Sequence, residues 1–554
     1  MQEKVKIICK NLNNQVFEFP LGTTLIEIYN ALKINLPYQL MSAHVNNKSE
    51  DLNFQVFRHK TIEFLDVSTP SGFRVYLRSM SIVLAKAVSD LFPDDVLRIE
   101  NSVCHGYYCT VNGRENKIAP EKIQKIKQKV QDIIKKDIPV IPHEEPTESV
   151  IELFRKQGDM DKVYILERLG KPFSKYFSID NFFDHYSDVL VPSTGYLSLF
   201  DLLEYENGMF LMIPDRLKPN QLAKFENQPK LFDIFNEFSR WNTLLGFDNV
   251  GDFNRVNNKD TVFNMIKVAE ALHEKKIAQI ADMIVKNNSK IVLVSGPSSS
   301  GKTTFGKRLS IQLMTSGIKP VAVSMDNYFV DRKHTPLDEN GNPDFESLYA
   351  VDLELFNKQL TQLLNGEKVK IPTFNFEDGK RCFRGDFLQL SENSVLIIEG
   401  IHALNPSITN GVDKEAIFKI YVSALTTISL DNHNWISTTD TRLLRRIVRD
   451  NKFRNHTAVD TIKMWQSVRR GEDKWIFPFQ EEADVMFNSS LIFEFDVLRK
   501  HAEPILENVP QNCEEYAEAH RLLRFLKYFR PIVEKSIPPT SLLREFLGGS
   551  SFRY

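Results

Sequence analysis

Residues 293–306 read LVSGPSSSGKTTFG, an apolar run that ends abruptly in glycines, hydroxyls and a lysine. They fit G-x-x-x-x-G-K-[ST] through Gly296, Pro297, Ser298, Ser299, Ser300, Gly301, Lys302 and Thr303, with Thr304 next. In such a loop the glycines let main-chain N–H groups close around a phosphate, and the helix that follows adds partial positive charge at its N-terminus. Lys302 is the expected partner of the β- and γ-phosphates, and the Thr303 hydroxyl the expected ligand of Mg²⁺. The alternative is a flexible surface turn that matches by chance. The flanking pattern, a strand KIVLVSG before and a helix KTTFGKRLSIQLM after, favours the phosphate cradle.

Three further groups bear on the chemistry. Asp326 ends the apolar run KPVAVSMD, where a carboxylate can face the γ-phosphate across the crevice of a parallel sheet. It could accept the proton of an acceptor hydroxyl or share the metal; an ordinary turn aspartate is the plainer reading. Glu399 stands at the end of NSVLIIEG, just before its glycine, a position suited to an acidic ligand of a metal or its water. Arg442, Arg445, Arg446 and Arg449 recur in TDTRLLRRIVRD at offsets that share one helix face. Arginines without lysines on that face predict a planar phosphate clamp rather than a solvated stripe. The base-reading pattern N-K-x-D of G proteins is absent; NNKD at 257–260 has the wrong order and precedes the glycine-rich loop.

The elements that must position these groups are legible from 289 onward. KIVLVSG, KPVAVSMD, NSVLIIEG, FKIYVSA and ADVMFNSS are short runs apolar on both faces, separated by helical stretches. That alternation predicts a parallel sheet covered by helices on both sides. Ahead of it, residues 1–66 alternate as strand, helix and strand in a β-grasp-sized unit, and STPSG at 68–72 reads as a turn-rich break. Residues 67–220 form a second, α+β region, with Pro139, Pro142 and Pro146 as punctuation. Residues 221–288 read as a helical connector, and 501–554 as a helical tail that frays at GGSS.

The totals limit the function classes. The chain has 554 residues, enough for several cores, and 70 basic against 72 acidic side chains give a net charge of −2. Such balance supplies no bulk attraction to nucleic acid or to an anionic membrane. Five cysteines are too few and scattered for a disulfide scaffold, the first residues lack the apolar core of a signal peptide, and no apolar run is long enough to span a bilayer. A reducing cytoplasm is the expectation. Cys104-His105 and Cys109 lack a paired ligand set for zinc.

With these residues in hand, 289–500 resembles the uridine kinase/phosphoribulokinase family, through GPSSSGKTT, MDNYF, PDFESLYAVDLELF, IPTFNFEDGKR, LIIEGIHAL and DTRLLRRIVRD in that order. The resemblance implies a phosphotransferase with ATP as donor, Mg²⁺, and the 5′-hydroxyl of a ribonucleoside as acceptor, as in pyrimidine salvage. It assigns Asp326 as general base and as a neighbour of the metal, Thr303 and Glu399 as metal ligands, and Lys302 as phosphate partner. It puts Glu346 on the ribose hydroxyls, Phe374 and Phe376 on the base (core packing being the other reading), and Arg446, Arg449 and Arg454 on phosphates or a closing lid. Two positions depart from the family pattern: Gly379 stands where pyrimidine-specific members carry a base-reading histidine, and His456 where another arginine is usual.

The front half is similar to the amino-terminal region of threonyl-tRNA synthetases. Residues 1–66 resemble a TGS domain through PLGTTL and AHVNNKSEDL; 67–220 resemble the editing-type domain through LAKAVSDLFPDD, HGYYCTV and LVPSTGYLSLFDL. The synthetase's metal-ligand-like positions fall on Arg78, Ile82, Tyr186 and Leu190, none of them a zinc ligand, which implies a binding or regulatory fold. The expected whole is multidomain: a β-grasp domain and a synthetase-like α+β domain ahead of a P-loop kinase sheet. Its partners would be a nucleoside, with RNA or a small effector on the front half, no membrane, and a homo-oligomer left open. A sugar-phosphate kinase and a nucleotide-gated RNA-binding protein are the rival readings.

Overall fold

The computed structural model describes residues 3–256, 259–339, 341–375, 378–385 and 387–553. Phe376, one of the two expected base-stacking phenylalanines, lies outside them.

The first unit is a mixed sheet built on β1 (Lys4–Cys9), β2 (Gln15–Pro20), β3 (Leu40–Val45), β4 (Lys48–Glu50) and β5 (Lys60–Asp66), with α1 (Leu25–Leu32) against it. The order is β2-β1-β5-β3-β4, with β1 and β5 parallel at the centre. Thr24 starts α1 with a capping box: Glu27 accepts from the Thr24 N–H at 2.8 Å, and the Thr24 hydroxyl accepts from the Glu27 N–H at 3.3 Å.

The stretch expected as a break at 68–72 is instead the start of α2 (Pro70–Leu91). Thr69 Oγ1 accepts from the Gly72 N–H at 3.1 Å, and Pro70 occupies the first turn, where a missing N–H costs nothing. Turn formers placed one residue before an apolar helix act as its cap. Beyond α2 come β6 (Leu97–Val103), β7 (Gly106–Val111), α3 (Pro120–Lys135), β8 (Ile141–Pro146), α4 (Thr147–Gln157), α5 (Met160–Leu169), β9 (Phe173–Ile179), β10 (Phe182–Asp184), β11 (Asp201–Tyr205) and β12 (Gly208–Met212). They make two sheets, β8-β9-β10 and β11-β12-β7-β6. Pro142 and Pro146 lie on β8, an edge strand, where a lost donor is tolerated.

Helices α6 (Pro229–Leu244), α7 (Val250–Arg255) and α8 (Lys259–Lys286) follow. They pack into the cores on either side. Ile277, Ile280 and Ile284 of α8 share a core with Val292, Val294, Phe305 and Leu309. Phe232 and Phe235 of α6 belong to a core that also holds Tyr108, Phe210, Ile291 and Leu293.

The last sheet carries β13 (Ile291–Ser295), β14 (Lys319–Ser324), β17 (Ser394–Glu399), β18 (Ile417–Ser423) and β19 (Val485–Asn488). A short hairpin, β15 (Thr373–Asn375) and β16 (Lys380–Cys382), lies apart from it. Its order is β14-β17-β13-β18-β19, and every pairing is parallel. The five apolar runs of the sequence are these five strands, but they are not equally buried: β13 and β17 lie in the interior of the sheet, where a strand covered on both faces needs no polar alternation, whereas β14 is an edge strand with only Val323 buried. Around them lie α9 (Lys302–Thr315), α10 (Leu353–Leu364), α11 (Thr438–Phe453), α12 (Ala458–Trp475), α13 (Glu494–Glu507), α14 (Tyr516–Leu526) and α15 (Arg544–Leu547).

The tail does not fray at GGSS. The Gly548 N–H donates to Arg544 O at 2.8 Å and the Ser551 N–H to Pro539 O at 2.9 Å, while Leu542, Leu543, Phe546 and Leu547 are buried. Polar composition predicted a loose end; apolar residues just ahead of it anchor the chain.

Candidate active site

β13 ends at Ser295 and the chain turns through 296–301 into α9. Gly296 has φ 152°, and a Cβ there would lie 1.9 Å from Val422 O, so only glycine fits beneath β18. Gly301, at φ 86°, releases the backbone into the helix. The hydroxyls of Ser299 and Ser300 are buried and find no partner among the described residues. Lys302 folds over the loop, its Nζ donating to Gly296 O at 2.9 Å and Pro297 O at 3.1 Å. Burial holds its pKa below the ordinary lysine value, against the pull of Glu399, Asp326, Glu545 and Glu346. Lys302 is thus a buried cation among acids, with its charge held by loop carbonyls.

The strand ends bring the acids to that centre. Thr303 Oγ1 donates to Glu399 Oε1 at 2.7 Å, and burial pushes the Glu399 carboxyl up to about 7. Asp326 stands in the turn after β14, its N–H donating to Ser324 Oγ at 3.3 Å; burial raises its pKa, opposed by Lys302, Arg454 and Arg449. Glu346 is also pushed up to about 7 by burial, and its Oε2 has no partner among the described residues. A Cβ at Gly471 of α12 would come 2.2 Å from the Glu346 Cβ, so Gly471 leaves the room this carboxyl occupies.

A hydroxyl and a carboxylate in contact are hard oxygen donors suited to Mg²⁺. The loop hydroxyls and the amides at the start of α9, which lack partners within the helix, suit phosphate oxygens. On these grounds the residues fit a nucleotide with its metal.

The arginine helix departs from expectation. Arg442 and Arg445 face neither solvent nor a phosphate cavity. Arg442 makes a two-pronged ion pair with Glu472, Nη2 to Oε2 at 2.7 Å, and its Nη1 donates to Ser298 O at 3.3 Å. Arg445 pairs with Glu494, Nη2 to Oε2 at 2.8 Å, and donates to Ser299 O at 3.4 Å and Ser489 O at 2.9 Å. All four side chains are 1% exposed or less. These guanidiniums brace the glycine-rich loop by its carbonyls. Helical spacing showed that they share a face and could not show that acids on α12 and α13 neutralise it.

Arg446 and Arg449 remain at the site. Arg446 Nη1 donates to Ser298 Oγ at 2.9 Å and its Nε to Asp450 at 3.2 Å; Arg449 Nε donates to Asp450 at 2.9 Å. Arg454 caps α11 and is half exposed, with Nε 3.8 Å from Asp450. Asp450 thus gathers three arginines at the mouth. Its place in RRIVRD, four residues after Arg446, was a readable signal for that role. Phe374 donates its N–H to Asn327 Oδ1 at 3.3 Å and sets its ring edge-on to Phe329 at 5.7 Å. Glu472, Glu494, Ser489 and Glu545 had no sequence signal. His402, in EGIHAL, is 1% exposed, and burial pushes it down to about 4, so it is neutral.

In the front half, Ile82, Tyr186 and Leu190 join one core. Arg78 donates to Val189 O at 3.0 Å and lies 3.6 Å from Asp188. The four aligned positions are packed together and filled by side chains.

No helix among the described residues is long and apolar enough to cross a membrane. The front half matches threonyl-tRNA synthetases. The chain is 30% identical over 200 residues to a threonine–tRNA ligase of Desulforamulus reducens, covering 36% of this chain and 31% of that one. With the enzyme of Carboxydothermus hydrogenoformans it is 28% identical over 192 residues, covering 34% and 30%. The chain therefore spans less than a third of the length of these curated relatives. Among solved structures, a possible uridine kinase from Bacillus stearothermophilus is similar at 22% identity and TM-score 0.27, over 39% of this chain and 98% of that one. A D-glycerate 3-kinase from Cryptococcus neoformans is similar at 14% and TM-score 0.22, over 47% and 89%. Residues 291–491, which contain the glycine-rich loop, the strand-end acids and the arginine helix, match the Phosphoribulokinase / Uridine kinase family.

Proposed function

We propose that the chain is a kinase that transfers the terminal phosphoryl group of ATP, with Mg²⁺, to the 5′-hydroxyl of a ribonucleoside. The observation that carries it is the convergence, around Lys302, of the glycine-rich loop opening α9 and of three carboxylates on different elements: Asp326, Glu346 and Glu399. The nucleotide, when bound with its metal, supplies the phosphoryl group and spreads its charge. Lys302 leaves the carbonyls of Gly296 and Pro297 for phosphate oxygens, and the N–H groups opening α9 cradle them. Thr303 and Glu399 are the oxygens that would hold Mg²⁺.

Asp326 takes the proton of the acceptor hydroxyl, its basicity raised by burial. Glu346 would hold acceptor hydroxyls, and Phe374 would offer a flat apolar wall. Arg446 and Arg449 offer charge to phosphates as the mouth closes, and Arg454 stands at the rim. Residues 289–500 would form the kinase unit, 221–288 its connector and 501–554 its tail. Residues 1–66 and 67–220 would act as a binding or regulatory module for RNA or a small effector.

The test is phosphate transfer from ATP to a panel of nucleosides, comparing wild type with Asp326→Asn. The variant is expected to lose turnover and keep ATP binding; wild-type turnover in the variant removes Asp326 from the mechanism. A sugar phosphate as acceptor is favoured by one observation, the cations of Arg449 and Arg454 acting on Asp326. Phosphorylation of a sugar phosphate and of no nucleoside in the same panel would establish that reading.

A further inference from the structure

The start of α9 is already occupied, and by the other end of the chain. Glu545 Oε2 accepts from the Thr304 N–H at 3.2 Å and from the Thr304 hydroxyl at 2.7 Å, across 241 residues of sequence. Thr304 lies in the first turn of α9, whose N–H groups lack partners within the helix. Those groups are what a phosphate loop offers to an anion. The contact lies inside the cradle: the Glu545 charge acts on both Lys302 and Glu399. In the loop just ahead of α9, the hydroxyls of Ser299 and Ser300 are buried and have no partner among the described residues.

The segment that delivers the carboxylate is fastened on both sides. Leu542 is buried in the core under α9, and its Cδ2 would lie 3.3 Å from a Cβ at Gly301. Phe546 lies beneath the Arg445 guanidinium at 5.0 Å, and Lys452 Nζ donates to Leu547 O. Beyond it, Gly548 and Gly549 take φ 82° and 71°, a backbone bend open to glycine. Residues 541–553 form a strap over the phosphate loop.

We propose that this strap competes with the nucleotide: the Glu545 carboxylate stands on Thr304 in place of a phosphate oxygen and must leave when the triphosphate binds. The inference rests on residues 296–304 being a nucleotide site. A carboxylate and a phosphate cannot share one N–H and one hydroxyl, and their charges repel. Apparent affinity for nucleotide is then reduced by the fraction of molecules whose strap is released. The strap makes Glu545 a determinant of donor affinity.

The experiment titrates the full chain with Mg²⁺ and a nonhydrolysable ATP analogue in a calorimeter, for wild type and Glu545→Gln. Hydrogen exchange over 541–553 is followed in wild type. Glu545→Gln is expected to bind about fivefold or more tightly, and the wild-type strap is expected to lose protection as analogue saturates. Equal or weaker binding by Glu545→Gln overturns the proposal. So does undiminished protection of the strap at saturation, a readout that needs no variant to fold. Absence of analogue binding in both proteins overturns the nucleotide site itself, and the strap's role with it.

Discussion

Glu494→Gln tests the assignment of the arginine helix most directly. Arg445 and Glu494 are 0% and 1% exposed. Their ion pair persists away from water because each satisfies the other, and Ser489 and Ser299 take the remaining guanidinium protons. Removing the carboxylate charge leaves a guanidinium that cannot lose its proton and cannot reach solvent. Breaking a buried pair from one side costs roughly 3–5 kcal/mol, more than the pair itself contributes against an apolar replacement. The loop suffers too, because the same guanidinium holds Ser299 O at 3.4 Å and Ser489 O at 2.9 Å.

Urea denaturation of Glu494→Gln should therefore show a loss of that size, together with weaker binding of an ATP analogue. Arg445→Met combined with Glu494→Leu should recover much of the stability, since no charge is stranded, while nucleotide affinity stays low because the brace is gone. If Arg445 were a phosphate clamp, Glu494→Gln would free it for the ligand. A stability loss below about 1 kcal/mol with unchanged or tighter nucleotide binding would refute the brace.

Three further outcomes follow from the same geometry. Gly471→Ala puts a methyl 2.2 Å from the Glu346 Cβ and must displace that side chain, so acceptor KM should rise with nucleotide affinity unchanged. Glu346, with its pKa raised to about 7 by burial, is mostly protonated at pH 6 and ionised at pH 8. A carboxylate accepts from hydroxyls better than its acid does, so acceptor KM should fall up to about tenfold between those pH values, and Glu346→Gln should flatten the profile. A fragment starting near residue 285 would lose Ile277 and Ile280, each fully buried against the sheet, with nearly the whole of α8. Each isoleucine contributes about 1.5–3 kcal/mol by burial, comparable in sum with a domain's net stability. That fragment should be insoluble, and a folded, soluble fragment would make α8 a detachable connector.

By itself the sequence determined whatever depends on neighbours along the chain. The glycine-rich loop, the five strands of the last sheet and the acids after two of them were all readable. A strand is written in its own apolar run and a loop's conformation in its own glycines, but how deeply each strand is buried was not: β14 lies at the edge with only Val323 covered. Asp450 was within reach of the same reasoning, four residues from Arg446. Tertiary structure decided everything that depends on a partner far away. Glu472 and Glu494 lie 30 and 49 residues beyond the arginines they neutralise, and turn an apparent clamp into a brace. Turn formers at 68–72 became a helix cap because an apolar helix begins behind them. A tail that reads as loose became a strap because Leu542, Leu543 and Leu547 find cores that other segments build. An isolated charge or apolar residue has no fixed worth; the dielectric and the partner around it set its energy, and only the folded chain supplies both.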